Sequence, residues 1–260
     1  MGDYPLTYSG SDSAGNAATP ITRTVTVVAA GPTPTFSLDF TSASKSGSNL
    51  LIGGATVGTL GGTDTNAVTI TSEGISTTPT SYVSLNPPSS NIGGDFTWEI
   101  VFKLISPTVA GQWSNLIGMW NGAMFGQGSV TQMIALELSG SGGGNSLGFI
   151  TANNGYVDHY LATTSAIGIY GNFVHVVVTH NNTTGTKQIF INGALHTAVT
   201  ETITTDKNVP TVARTNFLLG RSQLDAGYDT NTETVRFFNN YNSVLTQSEI
   251  TALYNAALPL

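Results

Sequence analysis

Residues 96–105, FTWEIVFKLI, set Phe96, Trp98, Ile100, Phe102 and Leu104 against Thr97, Glu99, Val101 and Lys103. A side-chain period of two marks an antiparallel strand with one buried face. The pattern recurs in short runs down the chain: FSLDF, NAVTI, YVSLN, SNLIGMW, QMIALELSG, NSLGFITAN, NFVHVVVTHN, KQIFING, FLLGR and ETVRFFNNY. Glycine, threonine and proline punctuate them. Many short strands separated by turn signals predict an all-β protein, an antiparallel two-sheet jelly-roll sandwich.

Composition supports a packed core. Hydrophobic residues make up 40% of the 260, enough to escape the signature of disorder. Charged residues are only 9%, against about 25% in an average domain, so Thr, Ser, Asn and Gly must supply solubility. A net charge of −7 argues against nucleic acid, whose affinity is built on Lys and Arg contacts to phosphate, and against an anionic membrane surface. The absence of cysteine removes disulfides, thiolate chemistry and Cys-based zinc sites. The opening MGDYPLTYSG has neither the basic nor the apolar region of a signal peptide. No run approaches the ~18 apolar residues of a membrane-spanning helix, so no membrane insertion is expected.

Both ends carry local signals. Tyr4, Leu6 and Tyr8 alternate with polar residues, SDSAGN supplies turn chemistry, and TRTVTVV makes a second strand, which predicts a β-hairpin. Residues 2–28 resemble the closing hairpin of a bacterial Ig-like repeat, so residues 1–28 are expected to be part of one. AAGPTPT, 29–35, reads as a linker, with the main domain at 36–260. At the other end, Thr246 is a strong N-cap with Glu249 three positions on, a capping box. Leu245 and Ile250 form a hydrophobic staple, and Ile250, Leu253 and Tyr254 share one helical face. So short a helix cannot stand alone in water, so it is expected to lie on the sandwich.

RFFNNYNSVLTQSEITALYN resembles the close of a laminin G-like, concanavalin A-like jelly-roll module. NFVHVVVTHN followed by KQIFINGAL resembles its central hairpin, with Phe173 where Trp is usual and Asn192-Gly193 in place of Asp-Gly. FLLGR and FTWEIVFKL resemble two further strands, so that the likeness spans residues 36–257. It implies the fold but leaves function open, since lectins, adhesion modules and glycosidases share it.

Hydrolysis of a glycan needs two carboxylates about 5–10 Å apart. The glucanase pattern Glu-x-Asp-x-x-Glu is absent, and Glu99 and Glu137 each stand alone on their strands. A non-catalytic carbohydrate-binding or adhesion module is therefore expected. A structural or protein-interaction module and a glycosidase-related domain remain as alternatives. Candidate sugar contacts fall in three places. Trp120 and Asn121 lie in the glycine-rich GMWNGAMFGQGS; Tyr156, Asp158, His159 and Tyr160 lie in NNGYVDHYL; Asp225 and Tyr228 lie in LDAGYDTNTE. Aromatic faces stack on sugar rings, and acids and imidazoles bond their hydroxyls. His175 is expected to pack on a sheet face, and His180 and His196 to be solvated. The resemblance also implies a structural calcium, held by an acid that opens the last strand, here Glu233, with Asp39 as the early partner; Asp229 is a further candidate ligand. An Ig-like piece beside such a module implies a secreted, cell-surface or virion-surface protein whose partner is a glycan or glycoprotein.

Overall fold

A computed structural model describes residues 2–27, 31–88, 91–105, 113–122, 131–139, 146–154, 159–163, 171–200, 208–221 and 232–258. The chain divides into two compact units, Met1–Pro32 and Thr33–Leu260.

The first unit is one antiparallel hairpin, β1 (Gly2–Tyr8) and β2 (Ile21–Val27), with Tyr8 opposite Ile21. Asp12 organises its turn, accepting from the backbone N–H groups of Ala14 and Asn16 and from the Asn16 amide. Gly15 supplies the left-handed residue, at φ 85°.

The second unit contains β3 (Phe36–Asp39), a 3-10 turn at Phe40–Ser42, β4 (Ala43–Ser46), β5 (Asn49–Ile52) and β6 (Ala55–Gly62). After a second 3-10 turn come β7 (Thr69–Thr71), β8 (Gly74–Thr77), β9 (Ser81–Leu85), β10 (Phe96–Leu104) and β11 (Trp113–Asn121). Then follow β12 (Thr131–Ser139), β13 (Ser146–Asn154), β14 (His159–Ala162), β15 (Val174–Asn181), β16 (Thr186–Ile191) and β17 (Ala194–Thr200). The chain closes with β18 (Asn216–Leu219), β19 (Glu233–Tyr241) and α1 (Gln247–Ala257). Among the described residues these form two antiparallel sheets. One runs β17-β16-β15-β10-β19-β8-β7, with β3 also on β19; the other runs β14-β13-β12-β11-β18-β9-β6-β5-β4. Strands distant in sequence lie side by side, as a jelly roll requires.

The interior between the sheets is apolar and aromatic. Phe96, Trp98, Ile100 and Phe102 of β10 meet Phe149 of β13, Phe217 of β18 and Phe238 of β19. Trp98 packs edge-on to Phe238 at 5.2 Å and donates its indole N–H to Asn240 Oδ1 at 3.1 Å. Thr35, read as the end of the linker, already belongs to this unit: its N–H donates to Asn240 O at 2.8 Å.

The other face of β10 departs from expectation. Thr97, Glu99 and Val101 are buried as well as the core residues. The cause is α1. Leu245, Ile250 and Leu253 pack with Val177, Phe190 and Tyr241 on the outside of the eight-stranded sheet. The capping box forms, with Thr246 N–H donating to Glu249 Oε2 at 2.7 Å and Glu249 N–H to Thr246 Oγ1 at 3.3 Å. Thr97 anchors the approach to the helix, donating to Ser243 O and accepting from Leu245 N–H. Tyr254 lies over Gly193, where a Cβ would come within 3.0 Å of its ring, and Asn192 and Gly193 both take the positive φ of a tight hairpin turn. His180, expected in solvent, is instead wholly buried, stacked on Phe96 and bonded through Nδ1 to Gly94 O.

Candidate functional site

Strand β19 reads ETVRFFNNY, and its alternation is broken: Val235 and Phe238, three apart, both face the interior. The pairing shows how. Phe102 lies opposite Val235 and Val101 opposite Phe237, which leaves Arg236 without an opposite residue, a β-bulge. The extra residue turns both Arg236 and Phe237 toward the outer face, half-buried. On the far side of β19, β3 pairs Asp39 with Phe237 and Ser37 with Asn239.

Beside the end of α1 this arrangement leaves an open groove of about 380 Å³. Its walls are Ser37, Asp39 and Thr41, then Arg236, Phe237 and Asn239, then Ala256 and Ala257. The volume falls within the roughly 300–1,000 Å³ of ordinary ligand sites. The small alanines keep the helix end from filling it. Asp39 caps the following 3-10 turn, with Oδ1 accepting from Thr41 N–H at 2.9 Å and from its hydroxyl at 2.6 Å. Oδ2 has no partner among the described residues. The Arg236 guanidinium lies 4.0 Å over the Phe173 ring, and Lys103 lies 4.6 Å over the same ring while pairing with Glu73 at 2.7 Å. Phe173 thus uses the ring face that its position offers to stack two cations.

Under α1, next to the groove, Asn239 joins a buried polar cluster. Glu99 Oε2 accepts from Asn239 Nδ2 at 2.9 Å and Tyr241 Oη at 2.7 Å, and Oε1 accepts from His175 Nε2 at 2.9 Å. The His175 ring lies 5.8 Å from that of Tyr254. Burial by itself would raise the Glu99 carboxyl, but the three donors outweigh it and hold it below the ordinary glutamate range. Burial, and then the Glu99 charge, push the Tyr241 phenol far up. Glu99 is therefore a structural anion. With its oxygens taken and 2% of its surface exposed, it is not placed to meet a substrate.

Of the residues expected to touch sugar, Trp120 and Asn121 are described with their side chains. Trp120 is wholly buried, packed with Met133, Ala135, Ile150, Ala152 and Leu218 on the other face of the nine-stranded sheet, so no ring can stack on it. Its flanking glycines suggested room for a ligand, but strand β11 carries it under its neighbours. Asn121 spends its amide on the protein: Nδ2 donates to Gln132 Oε1 and Ala213 O, and Oδ1 accepts from Thr215 N–H. The backbones of His159 and Tyr160 pair with Thr151 and Ile150 in β13. Tyr156, Asp158, Asp225, Tyr228 and Asp229 lie outside the described residues.

The expected calcium pair does not converge. Asp39 faces Phe237, four residues along β19 from Glu233, which sets the two backbones roughly 13 Å apart at about 3.3 Å per residue. Glu233 is buried, accepting from the Thr77 hydroxyl. Oxygen ligands to calcium must all lie within about 2.6 Å of one ion. Among the described residues no cluster of three or more acidic or histidine side chains is suited to a metal.

Missed from sequence were Arg236, Phe237 and Asn239. The signal was present: RFFNN is the one place where the last strand abandons alternation. The tie from Glu99 to His175, Asn239 and Tyr241 could not be read, because its partners are 76, 140 and 142 residues away.

Comparison with known proteins places the fold. The profile of the concanavalin A-like lectin/glucanase superfamily, of laminin G type, matches residues 76–251. No curated protein matches the chain. Among solved structures, the botulinum neurotoxin serotype D ligand-binding domain in complex with N-acetylneuraminic acid is 15% identical, with a TM-score of 0.55. The alignment covers 87% of this chain and 51% of that one. The receptor-binding domain of the mosaic serotype C/D neurotoxin is 14% identical with a TM-score of 0.58, over 86% of this chain and 51% of that one. The serotype D receptor-binding domain is 14% identical with a TM-score of 0.57, over 86% and 52%. The chain thus spans about half the length of these domains, and at such identity the likeness is one of fold. Two stacked antiparallel sheets, a capped helix on the outer face and the profile match over most of the second unit together show that the chain belongs to the concanavalin A-like lectin/glucanase superfamily.

Proposed function

We propose that this is a non-catalytic carbohydrate-binding module of a secreted or surface-exposed protein, and that it holds its glycan in the groove between β19, β3 and the end of α1. The observation that carries this reading is the lining: an aromatic ring, Phe237, stands among the hydrogen-bonding side chains of Ser37, Asp39 and Thr41 in a space of ligand size. That is the mixture a sugar ring asks for, an apolar face to stack on and donors and acceptors for its hydroxyls. The non-catalytic assignment is supported by Glu99, whose carboxylate is sealed beneath the helix by three donors. The toxin domains of the same fold, one of them solved with N-acetylneuraminic acid, make a glycan partner a natural class to test first.

The test is a glycan array followed by calorimetric titration of the best hits, with and without EDTA and added calcium. Wild-type protein is expected to bind a defined set of glycans, and Phe237→Ala to weaken binding about tenfold or more. The EDTA and calcium arms report whether a cation takes part. Binding to no glycan, or equal binding by Phe237→Ala, would refute the assignment of the groove.

A further inference from the structure

We infer that the groove selects neutral, hydroxyl-rich sugar rings and rejects acidic ones, with Asp39 as the specificity-determining residue. This rests on the glycan-binding reading and adds the charge class of the ligand.

Among the described residues two formally charged side chains line the groove, Asp39 and Arg236. Arg236 keeps its charge but holds its guanidinium 4.0 Å over Phe173, a ring that is not among the residues of the groove wall, and its field reaches Glu73, which Lys103 already pairs. Asp39 is not neutralised. It is exposed, and its carboxylate accepts from the N–H and hydroxyl of Thr41, both on Oδ1. These bonds fix the carboxylate's orientation without cancelling its charge. Oδ2 is left as a strong acceptor, suited to a sugar hydroxyl. The other polar walls, Ser37, Thr41 and Asn239, are neutral.

A carboxylate-bearing sugar brought into this space would meet a like charge a few ångströms away at a partly exposed site. Repulsion of that kind is worth on the order of a tenfold change in affinity. The protein's net charge of −7 acts in the same direction on approach. A neutral hexose or N-acetylhexosamine escapes both effects and gains a charge-assisted hydrogen bond from Oδ2.

The experiment compares matched glycan pairs, the same neutral core with and without a terminal sialic acid, by calorimetry on the whole chain at about 0.05 M and 0.5 M salt. The neutral member is expected to bind about tenfold more tightly at low salt, with a smaller ratio at high salt. Asp39→Asn keeps an oxygen to accept from Thr41, so the turn is retained. It is expected to bring the ratio to within about threefold. A sialylated member that binds as well as its neutral core, or a ratio that Asp39→Asn leaves unchanged, overturns the inference while the glycan-binding reading stands. Binding of neither member of any pair, and of no glycan on the array, overturns both together.

Discussion

A carboxylate removed from water keeps its charge only if other donors replace the water, and Glu99 has three. Their hydrogen bonds hold its carboxyl below the ordinary glutamate value of 4.5, against the opposing push of burial. A depressed folded-state value means that the unfolded chain takes up the proton first, so the stabilisation is full above about pH 4.5 and is lost as the pH falls through the folded value. Urea midpoints measured from pH 7 to 3 are expected to fall at the acid end, and Glu99→Gln to show a shallower fall. Equal slopes would remove Glu99 as the origin. Glu99→Ala, which leaves buried donors without an acceptor, is expected to cost about 3 kcal/mol in urea at pH 7. Tyr241 acts at the other extreme. Its raised phenol contributes below pH 10 and loses that contribution above it, as the unfolded tyrosine ionises first. None of this was legible beforehand, because alternation in 96–105 reported only that Glu99 points away from the core. What covers that face is supplied by a helix some 150 residues further along.

Whether an element could be read depended on where its determinants lie. The helix α1 was legible in detail because its signals are local: Thr246 and Glu249 form the cap, and Leu245 meets Ile250 in the same apolar cluster. Thr246→Ala is expected to cost about 1 kcal/mol in thermal or urea unfolding. Ile250→Ala, from a wholly buried position, is expected to cost about 2–4 kcal/mol. The second variant also tests the docking. If the helix merely rested on the sheet, Ile250→Ala would leave the urea midpoint unchanged. The bulge in β19 belongs to the opposite case. It is defined by which residue of β10 faces which residue of β19, and a linear pattern carries only its shadow in the broken alternation at Arg236 and Phe237. The choice of Trp120 as a sugar contact has the same origin. Flanking glycines suggested room for a ligand to approach, while the strand's pairing with β18, Trp120 opposite Asn216, places the ring under its neighbours.

At the scale of the molecule, the buried hydrophobic clusters draw every member from Phe36 to Leu253, all within the second unit. The backbone bond from Thr35 to Asn240 already closes its first strand onto the sheet. A sandwich whose described interior comes wholly from its own strands and helix should not depend on the hairpin at residues 2–27. That hairpin leaves Tyr4, Leu6, Tyr8 and Ile21 46–71% exposed and has two strands, fewer than a sheet needs for independent stability in water. The prediction concerns a fragment spanning residues 33–260. Its thermal midpoint should lie within about 2 °C of the whole chain's, since about 1 kcal/mol moves the midpoint of a domain this size by roughly 2–4 °C. Its near-ultraviolet circular dichroism should keep the bands of the packed Trp98 and Trp120, and it should bind glycan with the affinity of the whole chain, since every described groove residue lies between Ser37 and Ala257. A midpoint lowered by more than about 5 °C would mean that the hairpin contributes to the stability of the second unit. Binding lost with stability unchanged would instead place part of the ligand's contacts on residues 1–32, and the groove would then be only a portion of the site.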